Sequence, residues 1–184
     1  MGNRRLGRKR LFAVEKLGQS VELSSGTGIK DAIVSATQHR EGSQIVTEIV
    51  MDLGTAKATI IGGGADTNAI GVASLPANIA QLTAATFGVV TEVRAICLEV
   101  PAGGDTDVDL EVAAGVVNTA GAPGTSVLTA LTAIGEDTSA VYDANDLADK
   151  YLYICNGSGS GSGAMTAGKF VILIYGFVVP DDLA

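Results

Sequence analysis

The sequence predicts an all-β fold, a single β-sandwich domain of jelly-roll type that carries a basic N-terminal arm. Three observations lead there. Apolar residues recur with a period of two along several short segments. Glycine is abundant, 24 of 184 residues, and much of it lies between those segments, where turns belong. No long stretch of the body sustains the 3.6-residue apolar period of an amphipathic helix. Short strands of this kind bury one face each by closing two sheets on one another. With 47% apolar residues the chain has ample material for such a core.

The first segment is distinct. Residues 1–16 carry Arg4, Arg5, Arg8, Lys9, Arg10 and Lys16 against Glu15 alone, a balance of +5. With 12 basic and 20 acidic side chains in all, the remainder carries six basic and nineteen acidic, a balance of −13. Leu6, Leu11, Phe12, Val14 and Leu17 are interspersed among the basic residues. The segment suits an extended arm or a short helix with one apolar side, and a helix of this length is marginal in water without a partner. Residues 18–30 are rich in Gly and Ser and read as a linker. Residues 1–30 are therefore assigned to the arm and linker, and 31–184 to the sandwich.

From residue 31 the period becomes two. Ala32, Val34 and Ala36 alternate with Ile33, Ser35 and Thr37. The polar run Gln38–Gly42 reads as a hairpin turn. Residues 44–53 follow as a strand with Ile45, Thr47, Ile49, Met51 and Leu53 on one face. Residues 56–61 and 68–73 read as short strands around Gly62-Gly63-Gly64, and 77–86 as a helix or loop. Residues 87–100 form the longest strand-like run. Residues 107–113 alternate cleanly, 126–133 form another strand, and 140–149 read as a turn or one helical turn. Tyr151–Cys155 and Lys169–Val179 are two strong strands, joined by a Gly-Ser repeat over 156–163 that reads as an exposed, flexible tip.

Few residues point to chemistry. His39 is the only histidine and lies in the polar run assigned to a turn. No Gly-x-Ser-x-Gly elbow sits at a strand-to-helix junction. Asp105, Asp107, Asp109 and Glu111 resemble a calcium loop in spacing, but Leu110 stands where the sharp-turn glycine belongs and Val116 where the bidentate Glu belongs. Strand alternation instead sends Val108, Leu110 and Val112 inward and Asp107, Asp109 and Glu111 to solvent. Gly62-Gly63-Gly64 lacks the Gly-Lys-Ser/Thr ending of a phosphate loop. The expectation is a protein that is not an enzyme, with no metal or cofactor.

Cys97 and Cys155 lie in apolar runs and read first as two buried free thiols, with a bridge between them as the alternative. No run of about 18 apolar residues exists to span a membrane. No apolar signal core follows the basic start. Leu6 stands where a myristoylation motif needs Ser or Thr. Asn156-Gly157-Ser158 is a glycosylation sequon. Aromatics are only 4% of the chain, too few for a base-stacking platform.

The start Asn3-Arg4-Arg5-Leu6-Gly7-Arg8-Lys9-Arg10-Leu11 resembles that of small virion structural proteins of marine tailed bacteriophages. So do Ala36–Gly42 leading into Asp52-Leu53-Gly54, Leu147–Tyr153, Thr166–Phe170 and Tyr175-Gly176. The resemblance implies a particle component, a capsid decoration (cement) protein of a phage head, made in the host cytoplasm; a tail, neck or host-recognition component is the alternative. Its implied partners are the major capsid protein and further copies of itself, as a trimer. Arg4, Arg5, Leu6, Arg8, Lys9, Arg10, Leu11, Phe12 and Val14 would make the arm's contacts. A solvated tail and non-specific nucleic-acid contact are the other readings of the arm. The resemblance carries over no catalytic residue.

Overall fold

The computed structural model describes residues 18–129, 131, 137–141, 146–159 and 161–178. The elements in chain order are β1 (Gln19–Ser20), a 3-10 turn (Lys30–Ala32), β2 (Ile33–Glu41), β3 (Gln44–Asp52), β4 (Ala80–Gln81), a one-turn helix α1 (Ala84–Phe87), β5 (Val89–Ala102), β6 (Val108–Ala113), β7 (Thr125–Leu128), β8 (Asp137–Val141), β9 (Tyr151–Asn156) and β10 (Ala167–Phe177). They form two antiparallel sheets, so the all-β expectation holds. One sheet has the order β1-β2-β3-β10-β5-β8, the other β4-β9-β6-β7.

The pairing is nested. β3 pairs with β10, β4 with β9, β5 with β8 and β6 with β7. The chain thus runs out to the β6–β7 connection and returns, each returning strand lying beside its outgoing counterpart. Two further pairings, β10 with β5 and β9 with β6, join these ribbons into sheets. β10 sits at the centre of the larger sheet because alternate residues, Phe170, Ile172 and Ile174, are buried and can be flanked on both sides. Ile49 and Met51 of β3, Val93, Ala95 and Cys97 of β5, Val108, Leu110 and Val112 of β6, and Leu152 and Ile154 of β9 join them in one core.

The β2–β3 hairpin shows how local sequence sets register. Glu41 pairs with Gln44, leaving Gly42 and Ser43 as a two-residue turn. Gly42 has φ +65°, which the first position of such a turn requires. The turn expected at Gln38–Gly42 is therefore confined to its last residue, and Gln38–Glu41 extend β2. The Gln38 amide donates to Thr47 Oγ1 at 2.9 Å and to the Thr86 carbonyl at 2.8 Å, tying the hairpin to α1. As expected, Ile45, Thr47, Ile49, Met51 and Leu53 are all buried.

Other expectations are corrected. Residues 56–61 form no strand; Ile61 alone makes bridges, to Gly71 and Ala164. Of 68–73, only Ala69 bridges β9, at Cys155. The segment 77–86 is split between β4 and α1. β8, Asp137–Val141, is a separate strand where the sequence reading has none. Residues 18–30, read as a linker, pack on the body: Gly26 and Gly28 N–H donate to the Asn78 and Pro76 carbonyls at 2.8 and 2.7 Å, and Ile29 is in the core. Ile29 lies outside any period-two run, so nothing in the local pattern marks it.

Phe170→Ala removes a fully buried ring from the central strand and is expected to cost about 3–5 kcal/mol in urea unfolding. Val34→Ala, at a side chain 60% exposed, is expected to change stability by less than about 0.5 kcal/mol. Equal costs would contradict the assignment of the core.

Candidate functional site

The arm residues Arg4, Arg5, Leu6, Arg8, Lys9, Arg10, Leu11, Phe12 and Val14 lie outside the described residues. What the structure describes is the surface where that arm begins. β1 makes only two pairs with β2, Gln19 with Gln38 and Ser20 with Thr37. One more bond follows, from Val21 N–H to the Ala36 carbonyl at 3.1 Å. The chain then diverges from β2, and a groove of about 400 Å³ opens between Val21, Leu23, Lys30, Ile33 and Val34, with Glu22 on its wall. A register slip between Ile33 and Ser35 accompanies the outward turn of Val34. The sequence could not show this groove, because it depends on that slip and on the early end of β1.

The outward face of the larger sheet mixes apolar and charged side chains in cross-strand rows. Val50, Val171 and Ile96 form one row; Glu48, Leu173 and Arg94 the next; Val46, Tyr175 and Glu92 a third. Most of these are partly exposed. At one end Lys169 Nζ lies 2.8 Å from Glu99 Oε2 and 4.0 Å from Asp52 Oδ2. The hydrogen bond from Lys169 holds the Glu99 carboxyl below its ordinary range, and the same bond raises the Lys169 ammonium. His39 is on this face too, opposite Val46 on β2 rather than in a turn.

The carboxylates of β6 are where sequence reasoning failed most clearly. Asp109 is 7% exposed and Glu111 only 2%, although both were expected to face solvent. They do point away from the main core, as alternation requires. That side of the smaller sheet is roofed by its own loops. Ala77 N–H donates to the Val117 carbonyl, Thr119 N–H to Leu75 and Ala69 N–H to Gly121, lacing residues 69–77 to 114–121. Beneath them Ala69, Ala77, Ala113, Tyr153 and Cys155 form a second apolar cluster. Tyr153 Oη accepts from Val117 N–H at 2.8 Å and donates to the Gly115 carbonyl at 3.0 Å, pinning the roof. Burial raises the Tyr153 hydroxyl and pushes the Cys155 thiol well up, the latter helped by Glu111 and Asp109. Burial likewise raises Glu111, opposed by the Gly124 N–H that donates to Oε2 at 3.2 Å and reinforced by Asp109 and Asp66.

Cys97 and Cys155 are both free and buried. They sit in different clusters, Cys97 in the main core and Cys155 under the roof, which accounts for the absence of a bridge.

The Gly-Ser repeat is also corrected: it folds back on the body. The Asn156 side chain is fully buried. Its Oδ1 accepts from Gly63 N–H at 2.8 Å and its Nδ2 donates to the Gly161 carbonyl at 3.0 Å. A sugar on that nitrogen is incompatible with this fold. Gly157 N–H donates to the Asp107 carbonyl at 3.0 Å, and Ser158 donates through N–H and Oγ to Asp107 Oδ2 at 3.0 and 2.8 Å. The loop thus lies over Asp105 and Asp107. Among the described residues no group of three or more His, Cys, Asp or Glu side chains is placed to hold a metal ion. Among them, too, no helix is long and apolar enough to cross a membrane.

No protein-family model matches the chain, and neither the curated proteins nor the solved structures searched contain a significant match.

Glu111 gives a test of the roof. Its folded pKa is raised, so the folded state holds the proton more tightly than the unfolded chain. Stability from this group is therefore full below the unfolded value and falls as pH rises through the folded one. Glu111→Gln keeps an oxygen for the Gly124 N–H and removes the charge. The variant is expected to lose part of the decline in Tm between about pH 4 and 8 and to be more stable than the parent at neutral pH. Parallel pH profiles for the two proteins would contradict the buried position of Glu111.

Proposed function

We propose that this chain is a structural virion protein, a capsid decoration (cement) protein that bridges capsid subunits of a tailed-phage head. Its body would be a jelly-roll sandwich and its basic arm the bridging element. The observation that supports the body's part of this reading is the nested pairing of β3–β10, β4–β9, β5–β8 and β6–β7. A ribbon of four nested pairs, with strands ordered 3-10-5-8 and 4-9-6-7, supports the jelly-roll reading. That architecture recurs in viral capsid domains, and also in lectins and cupins. Architecture alone does not choose among these. The choice rests on charge and on the resemblance at both chain ends.

The arm carries +5 and the remainder −13. An arm of that charge is attracted to acidic surfaces, including the body of a neighbouring copy. Arg4, Arg5, Arg8, Lys9 and Arg10 would pair with acidic neighbours, while Leu6, Leu11, Phe12 and Val14 would bury their apolar side. The groove beside the first described residues combines the apolar Val21, Leu23, Ile33 and Val34 with Glu22, Lys30 and three serines, and would meet both the apolar and the polar side chains of such an arm. Tethering makes arm binding effectively intramolecular once the body has docked, so a modest contact gains strongly in effect. The outcome of binding would be adhesion: surface buried across neighbouring subunits resists rupture of the shell.

Deleting residues 1–17 is expected to weaken binding to undecorated heads by at least about 100-fold, the scale of a lost tethered contact. The far-ultraviolet spectrum and cooperative unfolding of the body should remain. Full occupancy by the truncated protein, scored by gel densitometry of purified particles, would overturn the bridging role of the arm.

A further inference from the structure

The turn between β5 and β6 holds two buried anionic oxygens without partners. Asp105 is 6% exposed, and its Oδ1 accepts from Thr106 N–H at 2.7 Å and Asp107 N–H at 3.3 Å. Its Oδ2 is buried and has no hydrogen-bond partner, and the same is true of Asp107 Oδ1. Among the described residues neither carboxylate has an ion-pair partner. An uncompensated buried charge is costly enough that such groups are normally paired or bound to a cation.

Both carboxylates face the same glycine loop. A Cβ on Gly157 would strike the Asp107 carboxyl, and one on Gly159 would strike both oxygens of Asp105. Glycine at these two positions lets the backbone lie directly on the acids. The Ser158 hydroxyl is already hydrogen-bonded to Asp107. The surroundings include carboxylate, hydroxyl and peptide groups, and the Met165 sulfur lies by Gly104, one residue before Asp105. Hard cations take such oxygen donors.

We propose that Asp105 and Asp107 are the two anionic ligands of a divalent-cation site of calcium type, closed by the loop at Gly157–Gly159. Two carboxylates supply the charge, and the Ser158 hydroxyl, backbone carbonyls and water supply the remaining oxygens. An irregular shell of mixed donors suits calcium better than magnesium, which demands a near-octahedral set. With only two acids the affinity falls in the weak range typical of extracellular modules, about 10⁻⁴–10⁻³ M. The cation staples the β5–β6 turn to the β9–β10 loop. This proposal does not depend on a virion role.

The test is equilibrium dialysis of the full chain against radioactive calcium, with thermal unfolding in EDTA, CaCl₂ and MgCl₂. One saturable calcium per chain is expected. At a calcium concentration about ten times Kd, Tm should rise by roughly 3–6 °C, and less in magnesium. Asp105→Asn with Asp107→Asn should abolish both effects. If that double variant fails to fold, dialysis of the unaltered chain decides. Absence of saturable binding up to 10 mM (about ten times the weakest expected Kd) would overturn the proposal. So would undiminished binding in the folded double variant, which would place the ion elsewhere.

Discussion

Strand β10 must pair with two partners at once, and the body depends on it. It lies against β3 through nine residue pairs, from Lys169 with Asp52 to Phe177 with Gln44. On its other side it follows β5 from Ala102 to Val89, with bulges absorbing the mismatch. Without β10 the β2–β3 hairpin has no bond to β5, and the larger sheet falls into two pieces. Phe170, Ile172 and Ile174 add the buried surface that makes this central position favourable. The β3–β10 contact joins segments more than a hundred residues apart, so its loop-closure entropy is met late and folding is expected to be slow.

The nesting has a second consequence. Once β10 has joined the larger sheet, the smaller sheet still has an outward face, and loops 69–77 and 114–121 cover it. The cover turns a row of strand carboxylates into buried groups. Asp109 and Glu111 become neighbours of Cys155 under the roof, and burial raises Glu111 and Cys155 together. Farther along, Asp105 and Asp107 meet the folded-back glycine loop. Three acids of the body, Asp105, Asp109 and Glu111, are thus buried, whereas the face of the larger sheet keeps paired charges such as Lys169 with Glu99.

Period-two alternation made the strands around β3, β5, β6, β9 and β10 legible, because each has one face in the core. Ile45, Thr47, Ile49, Met51 and Leu53 were assigned to one face and are all buried. The same rule misled at β6. It reports which side a residue points to, not what lies there, and the roof comes from residues far away in sequence. β4 and the Ala69 bridge were illegible because they are held by the edge of β9 rather than by their own pattern. Gly157–Gly163 looked flexible because composition cannot show that Asn156 and Ser158 anchor it. The charge segregation of the arm was plain in the sequence, while the groove beside its root needed the register slip at Ile33 and Ser35.

The central claim is that this body sits on a phage head with its arm laid across neighbouring subunits. Cryo-electron microscopy of intact particles shown by mass spectrometry to contain the chain tests it most directly. The account predicts density for the nested-strand body on the outer shell, with residues 1–17 running onto adjacent capsid subunits. Density confined to the tail or neck, or an arm that contacts no neighbour, would contradict it.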